Sequence, residues 1–340
     1  MKKSFLALAL MGAFSGAAFA QSSVTVYGVV DMGLVNDNNG DGKGATTSLD
    51  SGLQSGSRLG FKGTEDLGNG LKANFVLEMG LNADKGTSDQ GGLAFGRQAF
   101  VGLSGDFGSV NLGRQKSLTY VASEAIDPFA VGLAGNMHRM FGTVIRNDNA
   151  LTYTTTNLSG FVGAAQYGFG EQAGDTKKSS IIAVSGAYAA GPVLASLTYE
   201  KARDAKSKVP YEMLVAGDIE KLLAGGTYDF GVVKAHAAFE RLKVTVGSVE
   251  GKANVWMIGA TVPVGAGAFL ADYTRFDDKT VGDTDTNSQQ FALGYTYSLS
   301  KRTNVYTSYA YTKNDKFAMI NTKTAGATDK LINVGIRHAF

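Results

Sequence analysis

The chain has 340 residues, 44% of them hydrophobic and 10% aromatic, with 45 glycines, 4 prolines and no cysteine. Without cysteine there is no disulfide framework and no thiol chemistry, and 32 basic against 30 acidic side chains leave no excess on which nucleic-acid binding could rest. Nowhere does the sequence offer the ~20 uninterrupted apolar residues of a spanning helix, so any membrane crossing has to be made by strands.

The first twenty residues have the form of an export signal. Lys2 and Lys3 precede an apolar stretch from Phe5, and Ala18-Phe19-Ala20 forms a small-x-small cleavage site. Residues 1–20 are therefore expected to be removed. Residues 21–340 then form a single domain with 30 basic and 30 acidic side chains, because the leader takes two lysines and no acid with it.

Alternation of apolar and polar residues, the period of a half-buried strand, recurs along this domain. In 71–81, Leu71, Ala73, Phe75, Leu77, Met79 and Leu81 share one face, and Lys72, Asn74, Val76, Glu78 and Gly80 the other. Seven short connections carry turn residues, at 65–70, 105–108, 157–160, 190–192, 229–231, 263–265 and 298–301. Between them lie polar stretches at 36–52, 84–92, 170–178, 203–217, 244–252, 277–287 and 314–328, and one exceptional connection at 117–146. Seven turns and eight loops join sixteen strands, about 20 residues for each strand and its link. The segment Glu212 to Leu223 also reads as a short amphipathic helix. The last run, Ile332 to Phe340, alternates to the final aromatic residue. The expected fold is all-β, a sixteen-stranded antiparallel transmembrane β-barrel.

Several segments resemble the general porins of beta-proteobacteria. They are Thr25-Val26-Tyr27-Gly28 with Asp31, the run from Ser57 to Gly70, Phe100-Val101-Gly102-Leu103, the run from Phe107 to Gln115, and Arg337-His338 before Phe340. The likeness is dense in the first half and at the end, and looser from 170 to 290; Ala339 stands where a basic residue is frequent. The resemblance implies a homotrimer in the outer membrane, in contact with its lipid, that passes small ions and hydrophilic solutes. It also implies that the third extracellular loop folds into the lumen, and that assembly machinery reads Phe340.

Selectivity needs a field across a constriction, and 117–146 is the candidate to form one. It carries Glu124 and Asp127 beside Pro128, and Gly132 and Gly135 allow close packing on a wall. On the facing side, strand phase turns Arg58 and Lys62 inward, with Lys72 and Glu78 also lining the lumen. Arg146, in phase with Asp148, Ala150 and Thr152, points inward too. Arg97 shares its phase with Val101 and Leu103, but an Arg facing lipid costs about 2 to 4 kcal/mol at mid-membrane, which favours the lumen. Arg58, Arg97 and Arg146 opposite Glu124 and Asp127 would give a mild anion preference.

Other signals are weaker. Asp37-Asn38-Asn39-Gly40-Asp41-Gly42 opens like a calcium loop, but Ser48 stands where the bidentate Glu is needed. Three histidines without a serine in a strained turn give no hydrolase; His236 is expected to line the lumen. No cofactor, metal or catalytic residue is expected. Two other readings remain: an adhesin or structural barrel with a plugged lumen, and a substrate-specific anion channel, which would show a lysine ladder or aromatic row.

Overall fold

The computed structural model describes residues 23–142, 144–208, 214–280 and 285–340; the expected leader, 1–20, lies outside them. The described residues hold eighteen strand segments. In the first half these are β1 (Ser23–Asp37), β2 (Thr46–Ser51), β3 (Arg58–Gly68), β4 (Leu71–Asn82), β5 (Thr87–Ser88), β6 (Gln98–Gly105), β7 (Gly108–Lys116), β8 (Arg146–Thr154) and β9 (Phe161–Gly168). The second half adds β10 (Ile181–Ala190), β11 (Val193–Lys208), β12 (Leu214–Asp229), β13 (Lys234–Val246), β14 (Val249–Val264), β15 (Gly267–Asp278), β16 (Ser288–Ser298), β17 (Thr303–Asn314) and β18 (Thr328–Ala339).

Eighteen segments make sixteen staves. β2 pairs with the upper part of β1 and β3 with its lower part, so the two form one interrupted stave. β5 and β6 share β4 in the same way. Every neighbouring pair is antiparallel, and β18 returns to β1 with Val29 opposite Ala339. Phe340 adds a reciprocal pair of backbone bonds with Gly28, both 3.1 Å. Closure leaves no unpaired edge, which hydrocarbon would not tolerate. The alternation read from the sequence is the inside–outside alternation of the wall: Ile332, Val334 and Ile336 stand exposed outside, while Asn333 is buried inside.

All seven predicted turns join neighbouring staves. Two predicted loops are strand instead. At 203–208, 214–217 and 244–252 the strands of β11–β12 and β13–β14 continue upward, 209–213 lying outside the described residues, and β12 runs as strand from Leu214 through the described part of the segment Glu212 to Leu223 that also read as helix. Cross-strand ion pairs support the pairing beside these polar stretches, Lys201–Glu220 at 2.8 Å next to the first and Lys243–Glu250 at 2.6 Å at the second.

The connection after β7 enters the barrel. It begins with a helix, α1 (Leu118–Ile126), capped by the Ser117 hydroxyl, which accepts from the Tyr120 N–H at 3.0 Å. A 3₁₀ turn follows at Met137–Arg139. Ile126, Met137, Met140 and Phe141 pack with wall residues Ile219, Leu223, Val255, Met257 and Phe276 into a core inside the lumen. The two glycines permit close approach as expected. A Cβ at Gly132 would lie 2.0 Å from the Gln54 carbonyl, and one at Gly135 would lie 2.5 Å from the Phe129 ring.

Candidate functional site

The side of the lumen not filled by this core is lined by cations. Arg58 opens β3, and the segment before it, 52–57, is shaped by Asp31: its carboxylate accepts the N–H groups of Gln54 (2.7 Å) and Ser55 (2.6 Å) and the Tyr306 hydroxyl. Arg58 donates through Nε to the Gly56 carbonyl at 3.0 Å and through Nη2 to the Ser55 hydroxyl. Arg97 immediately precedes β6 and meets Glu78 of β4, Nε to Oε1 2.8 Å. Gly56 leaves the space for that guanidinium, since a Cβ there would lie 2.5 Å from Arg97 Nη1.

Glu78 is the hub of the cluster. One oxygen takes Arg97, and the other takes the Tyr27 hydroxyl at 2.9 Å and faces Arg58 Nη1 at 4.0 Å. Its side chain is buried beneath these groups, so it pins the arginines and does not line open lumen as expected. A buried carboxylate so paired holds its cations in one geometry. Arg146 joins from the start of β8 by donating Nε to the Arg97 carbonyl at 2.8 Å. Its phase differs from the expectation: the register slips between Gly113 and Gln115, and Asn149 has φ +50°, so Asn147 continues the buried face of Ala150 and Thr152. Arg146 reaches the cluster because it begins the strand. Arg97 likewise escapes its lipid phase by standing just outside β6.

Facing the arginines is α1. Lys116 holds Glu124 through both carboxylate oxygens, at 2.9 and 2.7 Å, and lies over the Tyr120 ring at 5.3 Å. Tyr120 is pushed up to about 12, first by burial and then by the nearby Glu124 charge. A cavity of about 430 Å³ separates the two sides; Arg58, Arg97, Arg337, Tyr120 and Glu124 border it, with the backbone of 129–132.

Asp127 corrects the expectation. It does not face the arginines; its carboxylate turns into the loop and accepts the N–H groups of Phe129 (3.0 Å), Val131 (2.9 Å) and Met137 (3.0 Å). The helix ends at this residue, and the freed amides of the following turns claim it. Burial, opposed by those three bonds, raises its carboxyl to about 6. Lys62 remains on the phase of Arg58, nearer the tight-turn end, with Nζ 5.2 Å from the centre of the Tyr27 ring. Lys72 lies on the Glu78 face of β4, exposed. His236 points inward but is covered by α1: its ring nitrogens lie 2.6 Å from the Ile126 carbonyl and 3.1 Å from the Thr261 hydroxyl.

Arg337 was not among the expected site residues, although its phase opposite Ile336 and His338 was the available signal. Lys116 and Asp31 were missed as well, because each acts through a partner distant in sequence. In the calcium-like segment, Asp37 and Asp41 accept the amides of Asn39 and Lys43, as loop-closing turns do. No group of three or more potential metal ligands occurs among the described residues.

A model of the family described as Gram-negative porin matches residues 7–316. An outer membrane porin protein of Bordetella pertussis is 34% identical, the match covering all of both chains. The solved anion-selective porin from Comamonas acidovorans is 32% identical with a TM-score of 0.81, covering 94% of this chain and all of its own. In fold alone, the chain is also similar to the outer membrane protein OmpT of Vibrio cholerae in its trimer form, 16% identical with a TM-score of 0.73 over 94% of this chain and 99% of that one.

Proposed function

Because the chain belongs to the Gram-negative porin family, we propose that its arginine-lined cavity is the constriction of a passive outer-membrane channel that favours anions among small hydrophilic solutes. Transport is diffusion through water, and the wall contributes size exclusion and a transverse field. The observation that carries the reading is the imbalance across the cavity. Arg58, Arg97 and Arg337 border it, with Arg146 bonded behind Arg97 and with Glu78 as the buried counter-charge of Arg58 and Arg97, whereas the acid that faces them, Glu124, is already held by Lys116. A net positive potential remains along the solute's path and raises the local concentration of anions. The Comamonas acidovorans relative, itself an anion-selective porin, agrees with this sign.

The working form is a homotrimer, supported by the trimer form of a fold neighbour. Phe340 serves as the signal that barrel-assembly machinery reads; its exposed ring and its backbone pairing to Gly28 at the barrel's closing seam favour that role.

The experiment is single-channel recording in a planar bilayer under a KCl gradient. Steps of ohmic conductance with a reversal potential on the anion side are expected, moving toward zero in Arg58→Ser/Arg146→Ser. An unchanged reversal potential in that variant would remove the arginines from selectivity. A silent bilayer with folded protein would favour a plugged barrel.

A further inference from the structure

Across the cavity from the arginines, the wall is largely apolar. Leu53 borders the cavity from the segment before β3, and Tyr120, Ala130 and Val131 border it from the inward connection. Of the polar side chains that this connection brings to the cavity, Glu124 is held by Lys116 and accepts the Tyr120 hydroxyl, which leaves Asn136. The neighbouring stripe of α1 is apolar as well: Val121 and Ala125, one helical turn apart, are exposed inside the lumen. The guanidinium groups of Arg58, Arg97 and Arg337 thus look across at methyl groups and a ring.

The backbone that presents this wall is strained. Ala130, Val131 and Leu133 have φ of +49°, +54° and +59°, left-handed values that are an outlier for a β-branched residue such as Val131. Glycine would relax these positions, yet Gly132 is not left-handed and serves the close contact with the Gln54 carbonyl. The turn is held by Asp127, which accepts the Phe129 and Val131 amides, and by the Leu133 N–H, which donates to the Leu53 carbonyl at 2.5 Å. Strain kept at a turn that meets solute points to side chains the site uses. Here those are a methyl and an isopropyl group, Ala130 exposed and Val131 half-buried.

We propose that the anions this constriction favours are short carboxylates with a branched apolar body, over hydroxylated carboxylates of the same size, which rests on the reading of the protein as an anion channel. In the narrow part of the path the wall replaces part of the solute's water. Guanidinium groups replace it around the carboxylate, through charge-assisted hydrogen bonds. Against Leu53, Ala130 and Val131 a hydroxyl gives up water without gaining a partner, whereas a methyl group gains by leaving water. The cationic wall therefore selects the charge, and the strained apolar wall selects the body that carries it.

The test is the reversal potential of the purified protein in a planar bilayer, with potassium chloride on one side and potassium 2-methylbutyrate or potassium glycerate on the other. These anions are equal in size and differ only by methyl groups in place of hydroxyls. The permeability of 2-methylbutyrate should exceed that of glycerate by about fivefold, the partition expected when roughly 40 Å² of apolar surface leaves water. Val131→Asn should bring the ratio close to unity, because Asn accepts the left-handed backbone, keeps the amide that Asp127 binds and sets a polar group at the cavity. Ala130→Asn repeats the test should Val131→Asn fail to fold. Equal permeability of the two anions, or a ratio that neither variant changes, would overturn the proposal; with both anions still ahead of potassium, the anion channel itself would stand. Potassium ahead of both anions would overturn the channel's assigned sign and the proposal together.

Discussion

The two halves of the lumen are built on opposite principles. Behind the inward loop, Ile126, Met137, Met140 and Phe141 meet Ile219, Leu223, Val255, Met257 and Phe276 in a dry, packed core. In front of it, arginines are held apart by backbone carbonyls, one buried glutamate and short polar contacts, leaving a cavity between them. Position is thus secured by dispersion and apolar burial on one side, and charge is displayed on the other. A loop carries a selectivity element into a water-filled barrel only if its back face has a core of its own.

Phe141→Ala should have the largest effect on the packed side. Phe141 is 2% exposed, and deletion of such a ring costs about 3 to 5 kcal/mol. The barrel should persist on its backbone pairing while the loop loosens, so single-channel conductance should rise and become noisy; a quiet channel of ordinary size would mean that packing does not position the loop. On the charged side, Arg97→Gln leaves Glu78 buried without its closest cation, a change of the class that costs about 3 to 5 kcal/mol. It should lower the anion preference more than Arg58→Gln does, because it removes a cation and uncovers an anion at once. Equal shifts in reversal potential would show that Glu78 is not the hub.

Asp127 is a charge used for structure. Replacement by Ala strands three amides and should cost the docked loop about 3 kcal/mol, read as protease access to 117–146. Its carboxyl lies at about 6 in the folded chain, above its ordinary 3.8. The docked loop therefore binds the proton more tightly than the released one, and this group's contribution to docking strengthens as pH falls from about 6 toward 4. The pH-dependence of protease access over that window should flatten in Asp127→Asn. The smallest effect is expected for Lys116→Gln, since the ion pair with Glu124 is partly exposed and worth less than about 1 kcal/mol. Stability should hardly change, while the released Glu124 charge should move the reversal potential slightly toward the cation side.

Much of the fold was legible because a two-residue period reports directly on which face meets lipid. Leu71 to Asn82 and Ile332 to Phe340 show it in sequence and in the wall, and each of the seven turns carried its own residues. The reading failed where polarity stood in for conformation. The upper ends of β11 to β14 are polar yet paired, because water and cross-strand ion pairs replace lipid there. Within the inward connection, α1 went unread because its apolar face, Leu118, Ala122 and Ile126, is short and its partners lie on distant strands. In the site, Arg58 followed from phase, whereas Arg97 and Arg146 sit at strand boundaries where phase ceases to apply.

Local alternation and turn chemistry were enough for the number of staves and for the seven tight turns, since both depend on neighbours in sequence. Tertiary structure alone decided that Asp127 serves the loop backbone, that Glu78 gathers Arg58 and Arg97, that Lys116 neutralises Glu124 and that Arg337 joins the cavity. Each of those outcomes is a competition for a partner across the lumen, settled by distances that exist only once the barrel has closed.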